Sequence, residues 1–207
     1  SPDGPGKLSN ADATDARPSL AVLPFVNMSA VGENEYFSDG LTETLLNMLA
    51  QVEGLKVTAR TSAFAFKGTN KDIREIATTL NVNAVLEGSV QRAGQRVRIT
   101  AQLIDARDGN HLWSQSYDRT LDDLFTIQDE IAAAVAKELT RSLLGANSAL
   151  PTVGEVGTHD SEAYDLYLRG MAQVNLGSYA ALPEAERRLK QAVARDPGFA
   201  RAHAGLS

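Results

Sequence analysis

The chain has 207 residues, 43% apolar and 22% charged, a balance that supports a folded core and excludes a wholly disordered protein. Asp and Glu number 26 against 20 Lys and Arg, so the formal net charge is -6 and the basic field of a general nucleic-acid binder is missing. With no cysteine, disulfide scaffolds, thiolate metal sites and cysteine nucleophiles are excluded, and apolar runs such as Leu20–Val26 and Ile131–Ala136 fall far short of a membrane span.

Residues 1–18 read as a linker, with three of the seven prolines and Leu8 as their only large apolar side chain. Order is expected from Leu20. The segment Leu20–Val26 is apolar on both alternating faces, as in a strand covered on both sides, and Pro24 should interrupt its ladder. Ser38 or Asp39 is a reasonable N-cap for a helix whose stripe is Leu41, Leu45, Met48, Leu49 and Val52, stopped by Gly54. Leu55–Arg60 reads as a short strand, and residues 61–71 as irregular with Phe64 and Phe66 inward. A second helix over roughly 71–81 carries Ile73, Ile76, Ala77 and Leu80 on one face.

Ala84–Gln91 and Arg96–Asp105 read as a hairpin about Ala93-Gly94, which sets Val90 opposite Val97, Gly88 opposite Ile99, Leu86 opposite Ala101 and Ala84 opposite Leu103. Asp108-Gly109 signals the next hairpin, into the strand His111–Tyr117. An amphipathic helix follows, with Leu124, Ile127, Ile131, Val135, Leu139 and Leu143, ending near Gly145. The order β-α-β-α-β-β-β-α predicts an α/β fold with a mixed five-stranded sheet. A second linker is expected at 146–160. A helix pair follows, with Ala163, Tyr164, Tyr167, Gly170 and Val174 on the first helix and Ala185, Leu189 and Ala192 on the second, closed by Pro197.

The spacing Ala185, Leu189, Ala192, Pro197, with Gly170 at the small position of the first helix, resembles a tetratricopeptide repeat (TPR). Arg169 and Gln173 depart from that motif, and Ala200, His203 and Leu206 resemble the start of another repeat. Residues 161–207 are therefore expected to be a truncated repeat region. Residues 19–145 resemble the TolB-like N-terminal domain family. The resemblance rests on Ala21–Phe25, Glu35–Glu43, Ala59–Ser62, Phe64–Gly68, Asp72–Ile76, Val85–Val90, Val97–Asp105, His111–Ser114 and Tyr117–Arg119. It implies an anticodon-binding-like sheet of order 2-1-3-4-5 with strand 4 antiparallel. It also implies a parent among bacterial adenylate/guanylate cyclase-type or CadC-like signalling proteins, attached to a membrane by an upstream segment, with this part in the periplasm. A cytoplasmic location is the alternative.

No GxxxxGK[ST], HExxH, GxSxG or GxGxxG motif is present, and His111, His159 and His203 are scattered, so no catalytic residue, metal site or cofactor is expected. Glu35, Asp39 and Glu43 could bind a cation or act as acid and base, or could serve the free N–H groups and dipole of a helix start. Lys67, Lys71 and Arg74 are candidates for holding an anion, which would make the domain a small-ligand sensor; the other reading is a solvated basic turn. The second face of the hairpin strands is expected to display Glu87, Ser89, Gln91, Arg96, Arg98, Thr100, Gln102, Trp113, Gln115 and Tyr117, and Arg98, Gln102, Trp113 and Tyr117 are candidate anchors for a protein partner. Packing of Trp113 and Tyr117 under the terminal helix is the alternative. Tyr164, Tyr167, Met171 and Asn175 are candidates for lining a repeat groove, or for packing between repeats. The expected role is a non-catalytic regulatory or interaction segment, with a protein partner and no nucleic acid.

Overall fold

The computed structural model describes residues 17–29, 34–141 and 157–206. The expected linkers at 1–18 and 146–160 lie mostly outside them. The chain runs β1 (Ser19–Val22), β2 (Val26–Asn27), α1 (Glu35–Ala50), β3 (Lys56–Val57), α2 (Arg60–Phe64), α3 (Ile73–Leu80), β4 (Ala84–Ala93), β5 (Arg96–Asp105), β6 (His111–Thr120), α4 (Leu124–Leu139), α5 (Ser161–Asn175), α6 (Leu182–Arg195) and α7 (Ala200–Ala204).

The sheet is mixed and has six strands rather than the expected five. Its path is β3-β1-β4-β5-β6, with β2 beside β4 and off that path. The extra strand arises because Pro24 has no N–H to donate: the chain leaves the ladder after β1 and rejoins β4 at Val26. β1 pairs in parallel with β3 and β4, whereas β5 is antiparallel to both of its neighbours.

The doubly apolar first segment is covered on both sides. Leu20, Val22 and Phe25 join the main core with α1 and α4, while Leu23 joins a smaller cluster with Val85 and the α3 residues Ile76 and Ala77. The predicted stripe of α1 is buried, but the helix starts a turn before the expected caps, after Asn34. Ser38 and Asp39 are therefore inside the helix, with Ser38 fully buried. The strand expected at 55–60 is only Lys56–Val57, and part of the segment expected to be irregular is the helix α2. Phe64 is half-buried beneath the Arg60 guanidinium, 4.1 Å from its ring centre.

The β4–β5 register differs by two residues from the expected one. Val90 faces Ile99, Gly88 faces Ala101, Leu86 faces Leu103 and Ala84 faces Asp105. The turn is Gly94-Gln95, with Gly94 at φ +59°. A slip of two preserves the faces because side chains alternate with period two. The β5–β6 hairpin behaves differently. Ile104 pairs with His111 but Leu103 pairs with Trp113, so Leu112 is the extra residue of a bulge.

Helices α5 to α7 do not form a separate core. Ala163, Tyr164 and Leu168 of α5, Ala192 of α6, and Phe199 and Ala202 belong to the same cluster as the sheet, α1 and α4. α5 and α6 pack closely because Gly170 leaves room: a methyl group there would lie 2.8 Å from Leu189 Cγ and 3.3 Å from the Ala185 carbonyl oxygen. The expected face of the last helix was Ala200, His203 and Leu206, whereas the buried pair is Phe199 and Ala202.

Candidate functional site

A cleft of about 500 Å³ lies between α1 and α5. Glu35, Asp39, Glu43 and Asn47 line it from α1, one helical turn apart. Tyr167, Leu168, Met171 and Leu176 supply its apolar wall, and Arg60 and Arg201 stand at its margins. The two helices meet at Gly40, where a methyl group would overlap the Leu168 side chain. Of the expected groove residues, Tyr167, Met171 and Asn175 line this cleft.

The carboxylates of the cleft are already matched by cations. Lys67 Nζ lies 2.7 Å from Glu35 and 2.6 Å from Asp39, and Arg60 Nε lies 3.0 Å from Glu43. These pairs fill the acidic stripe with partners from α2 and the turn after it. They also engage a cation of the expected anion site. Lys67 is held by Glu35 and Asp39, Lys71 by Glu75 at 2.9 Å, and Arg74 by Asp72 at 2.9 Å, so the three cations do not converge on one point. Lys67 and Lys71 do line a second cleft of about 660 Å³, between the 66–71 turn and the sheet.

Tyr36, which lines the α1–α5 cleft, also belongs to a network around Asp165, a residue sequence reasoning missed. The Asp165 carboxylate accepts hydrogen bonds from Tyr36 Oη, Arg92 Nη1 and Arg169 Nε, each at 2.7 Å. Arg92 also sits 5.0 Å from the Phe37 ring centre, and Arg169 sits 4.5 Å from that of Tyr36. Burial pushes the Asp165 carboxyl up, but the hydrogen bonds from Arg169, Arg92 and Tyr36 outweigh it and hold the group below its usual range. Burial and the Asp165 carboxylate push Tyr36 up to about 12. The i,i+4 pair Asp165–Arg169 was the one local signal for this network.

Tyr164 is buried rather than groove-lining. Its hydroxyl meets Thr44 Oγ1 at 2.5 Å and accepts from Gln128 Nε2 at 2.9 Å, which joins α5 to α1 and α4. Burial pushes its pKa up to about 12. Tyr117 and Trp113 pack inward, the alternative to an anchoring role on the open face. Tyr117 is 3% exposed and faces Ile99, and Trp113 faces Leu103 and packs against the core. Without the bulge at Leu112, both would stand on the open face. That face instead carries Ser114, Ser116 and Asp118 from β6, beside Gln102, Thr100 and Arg98. Arg98 and Arg96 share Asp118, each at 2.6 Å. The alternation of Ser114, Ser116 and Asp118 was the sequence signal that could have found this. The histidines lie apart: His111 opens β6, His159 meets the Phe125 ring, and His203 lies 3.0 Å from the Pro197 carbonyl oxygen.

The chain is 46% identical over 198 residues to a Rhizobium meliloti (strain 1021) protein named "Putative adenylate cyclase 3", a match covering 93% of this chain and 32% of that protein. It thus spans about a third of that relative's length. Among solved structures it is similar to lipoprotein GNA1162 from Neisseria meningitidis, at 23% identity, 49% of this chain, 79% of the other and a TM-score of 0.42. TolB from Acinetobacter baumannii follows at 15% identity, 60% and 28% coverage and a TM-score of 0.45. The LpoB C-terminal domain from Escherichia coli is 22% identical, with 55% and 90% coverage and a TM-score of 0.40. Residues 15–134, more than half of the chain, match the family described as HilA/YgeH-like transcriptional regulator, second domain. By that match the chain belongs to the HilA/YgeH-like second-domain family.

Proposed function

We propose that the chain is a non-catalytic regulatory segment of a larger, adenylate-cyclase-type signalling protein, and that the cleft between α1 and α5 is its protein-docking site. The observation that carries this reading is the 46% identity across 93% of the chain, which takes in the sheet unit and the helices together. The cleft supports it, because both parts build the site: carboxylates from α1 on one side, Tyr167, Leu168 and Met171 from α5 on the other. The helical hairpin is read as the first unit of a TPR array, supported by the close approach of Gly170 to Leu189. The periplasmic placement rests on the resemblance to the membrane-attached parents. A reporter fusion active only outside the cytoplasm tests it.

The test of the function uses the full-length parent. Cyclic-nucleotide formation is measured with the native sequence, with residues 157–206 removed, and with Met171→Arg in the cleft. The expected result is that turnover persists while its response to stimulation is lost. Unchanged output and response in both variants, or turnover of nucleotide by this chain alone, would overturn the proposal.

A further inference from the structure

We infer that the occupant of the α1–α5 cleft is the α5–α6 tip of a second copy of this chain. The inference rests on the cleft being a docking site and names what docks there.

Five large apolar side chains are strongly exposed among the described residues, and three of them lie within residues 176–182, the connection from α5 and the first residue of α6: Leu176 at 67%, Tyr179 at 91% and Leu182 at 46%. Isolated exposed apolar residues are ordinary, but a cluster on one turn marks a contact surface. The stretch 176–183, Leu-Gly-Ser-Tyr-Ala-Ala-Leu-Pro, has no charged residue, in a chain that is 22% charged. Its shape is set in advance. Gly177 takes φ +62° at the end of α5, and the Ser178 hydroxyl accepts from the Ala180 N–H at the start of a single 3₁₀ turn, Tyr179–Ala181. A preformed tip costs little ordering entropy on docking.

The tip and the cleft are continuous, since Leu176 belongs to both. A knob beside its own hole is the arrangement a twofold axis can use: each copy places its tip in the other's cleft, and the contact is made twice. The cleft's volume of about 500 Å³ suits a compact apolar group, and its wall of Tyr167, Leu168 and Met171 is chemically matched to Leu and Tyr side chains. Charge points the same way. Glu35, Asp39 and Glu43 already have Lys67 and Arg60 as partners, so a basic helix would have to displace them, whereas an uncharged tip leaves the pairs standing. Glu43 and Asn47 line the cleft and offer acceptor oxygens that suit a Tyr hydroxyl.

Sedimentation of the 207-residue chain from micromolar to near-millimolar concentration tests the inference. The expected result is a reversible rise from one chain to two, preserved or strengthened by salt, because two chains of net charge -6 repel less when screened. Tyr179→Ser with Leu182→Ser, and separately Met171→Arg, should each weaken association by at least about tenfold with unchanged circular dichroism. The chain has no cysteine, so a Tyr179→Cys copy mixed with an Asn47→Cys copy should give a disulfide-linked heterodimer on mild oxidation, and Met171→Arg should abolish it. A single-chain mass at every concentration, dissociation by salt, or cross-linking that survives Met171→Arg overturns the inference. If the chain stays monomeric while Met171→Arg still removes the parent's response, the second copy is wrong and the docking site stands, with a partner of another sequence as occupant.

Discussion

Leu168 of α5 rests directly on Gly40 of α1, with no room between them for a methyl group. Gly40 lies inside a helix, where alanine would ordinarily be better by about 1 kcal/mol. Packing opposes that preference here, since Leu168 is 3% exposed and has little space to move. Gly40→Ala is expected to lose stability despite its better propensity, and Gly40→Leu to lose about 1–3 kcal/mol. Chemical denaturation gives the sign. A stabilised Gly40→Ala protein would show that Leu168 moves aside freely.

Asp165 ties α5 to the end of β4 and the start of α1 through Arg92 and Tyr36. Asp165→Ala leaves Arg92 partly buried without this carboxylate, a loss expected to cost about 3 kcal/mol. Amide exchange should quicken in α5 and at the β4–β5 turn and change little in β1. Uniform change over the whole chain would mean that the network is not a local clamp.

The same groups set the pH limits. Asp165 is held below its unfolded value, so its contribution is present above about pH 4 and fades as pH falls through the lower folded value. Tyr36 and Tyr164 are pushed up to about 12, so their contributions are complete below about pH 10 and fade between there and about 12. Urea midpoints measured against pH should fall at both ends. Tyr36→Phe should flatten part of the alkaline fall, and an unchanged alkaline slope would remove Tyr36 from the account.

The bulge at Leu112 separates two deletions. Removing Leu112 leaves Ile104 beside His111 and Leu103 beside Trp113, so the chain should fold with its single tryptophan still in an apolar setting and lose only the packing of one leucine. Removing Ser114 turns one part of β6 over, exposing either Trp113 or Tyr117, and should abolish cooperative unfolding. Tryptophan emission and a denaturation curve distinguish them. Equal behaviour of the two would contradict the observed register.

Local periodicity was enough for the succession of the longer strands and helices, the buried stripe of α1, the break at Pro24 and the limits of β5. Each depends on neighbours within a few residues, through the 3.6-residue and two-residue repeats or the chemistry of a proline or glycine. Arg98 and Gln102 on the open face were legible for the same reason. Which of the two readings of Trp113 and Tyr117 holds was not legible, because a bulge is decided by which register buries more apolar surface across two strands, and one extra residue inverts every side chain beyond it. The docking of α5 was out of reach as well: Tyr164 meets Thr44 across 120 residues of sequence, and Asp165 meets Arg92 across 73. Pairings of that range leave no periodic trace. The sequence by itself determined the long helices and strands and the apolar faces of α1, β4 and β5, but not α2, β2 or the face that β6 turns inward. Only the tertiary structure decided that the helical hairpin closes over α1, because the contacts that hold it there exist only once the sheet has brought α1 and α4 together.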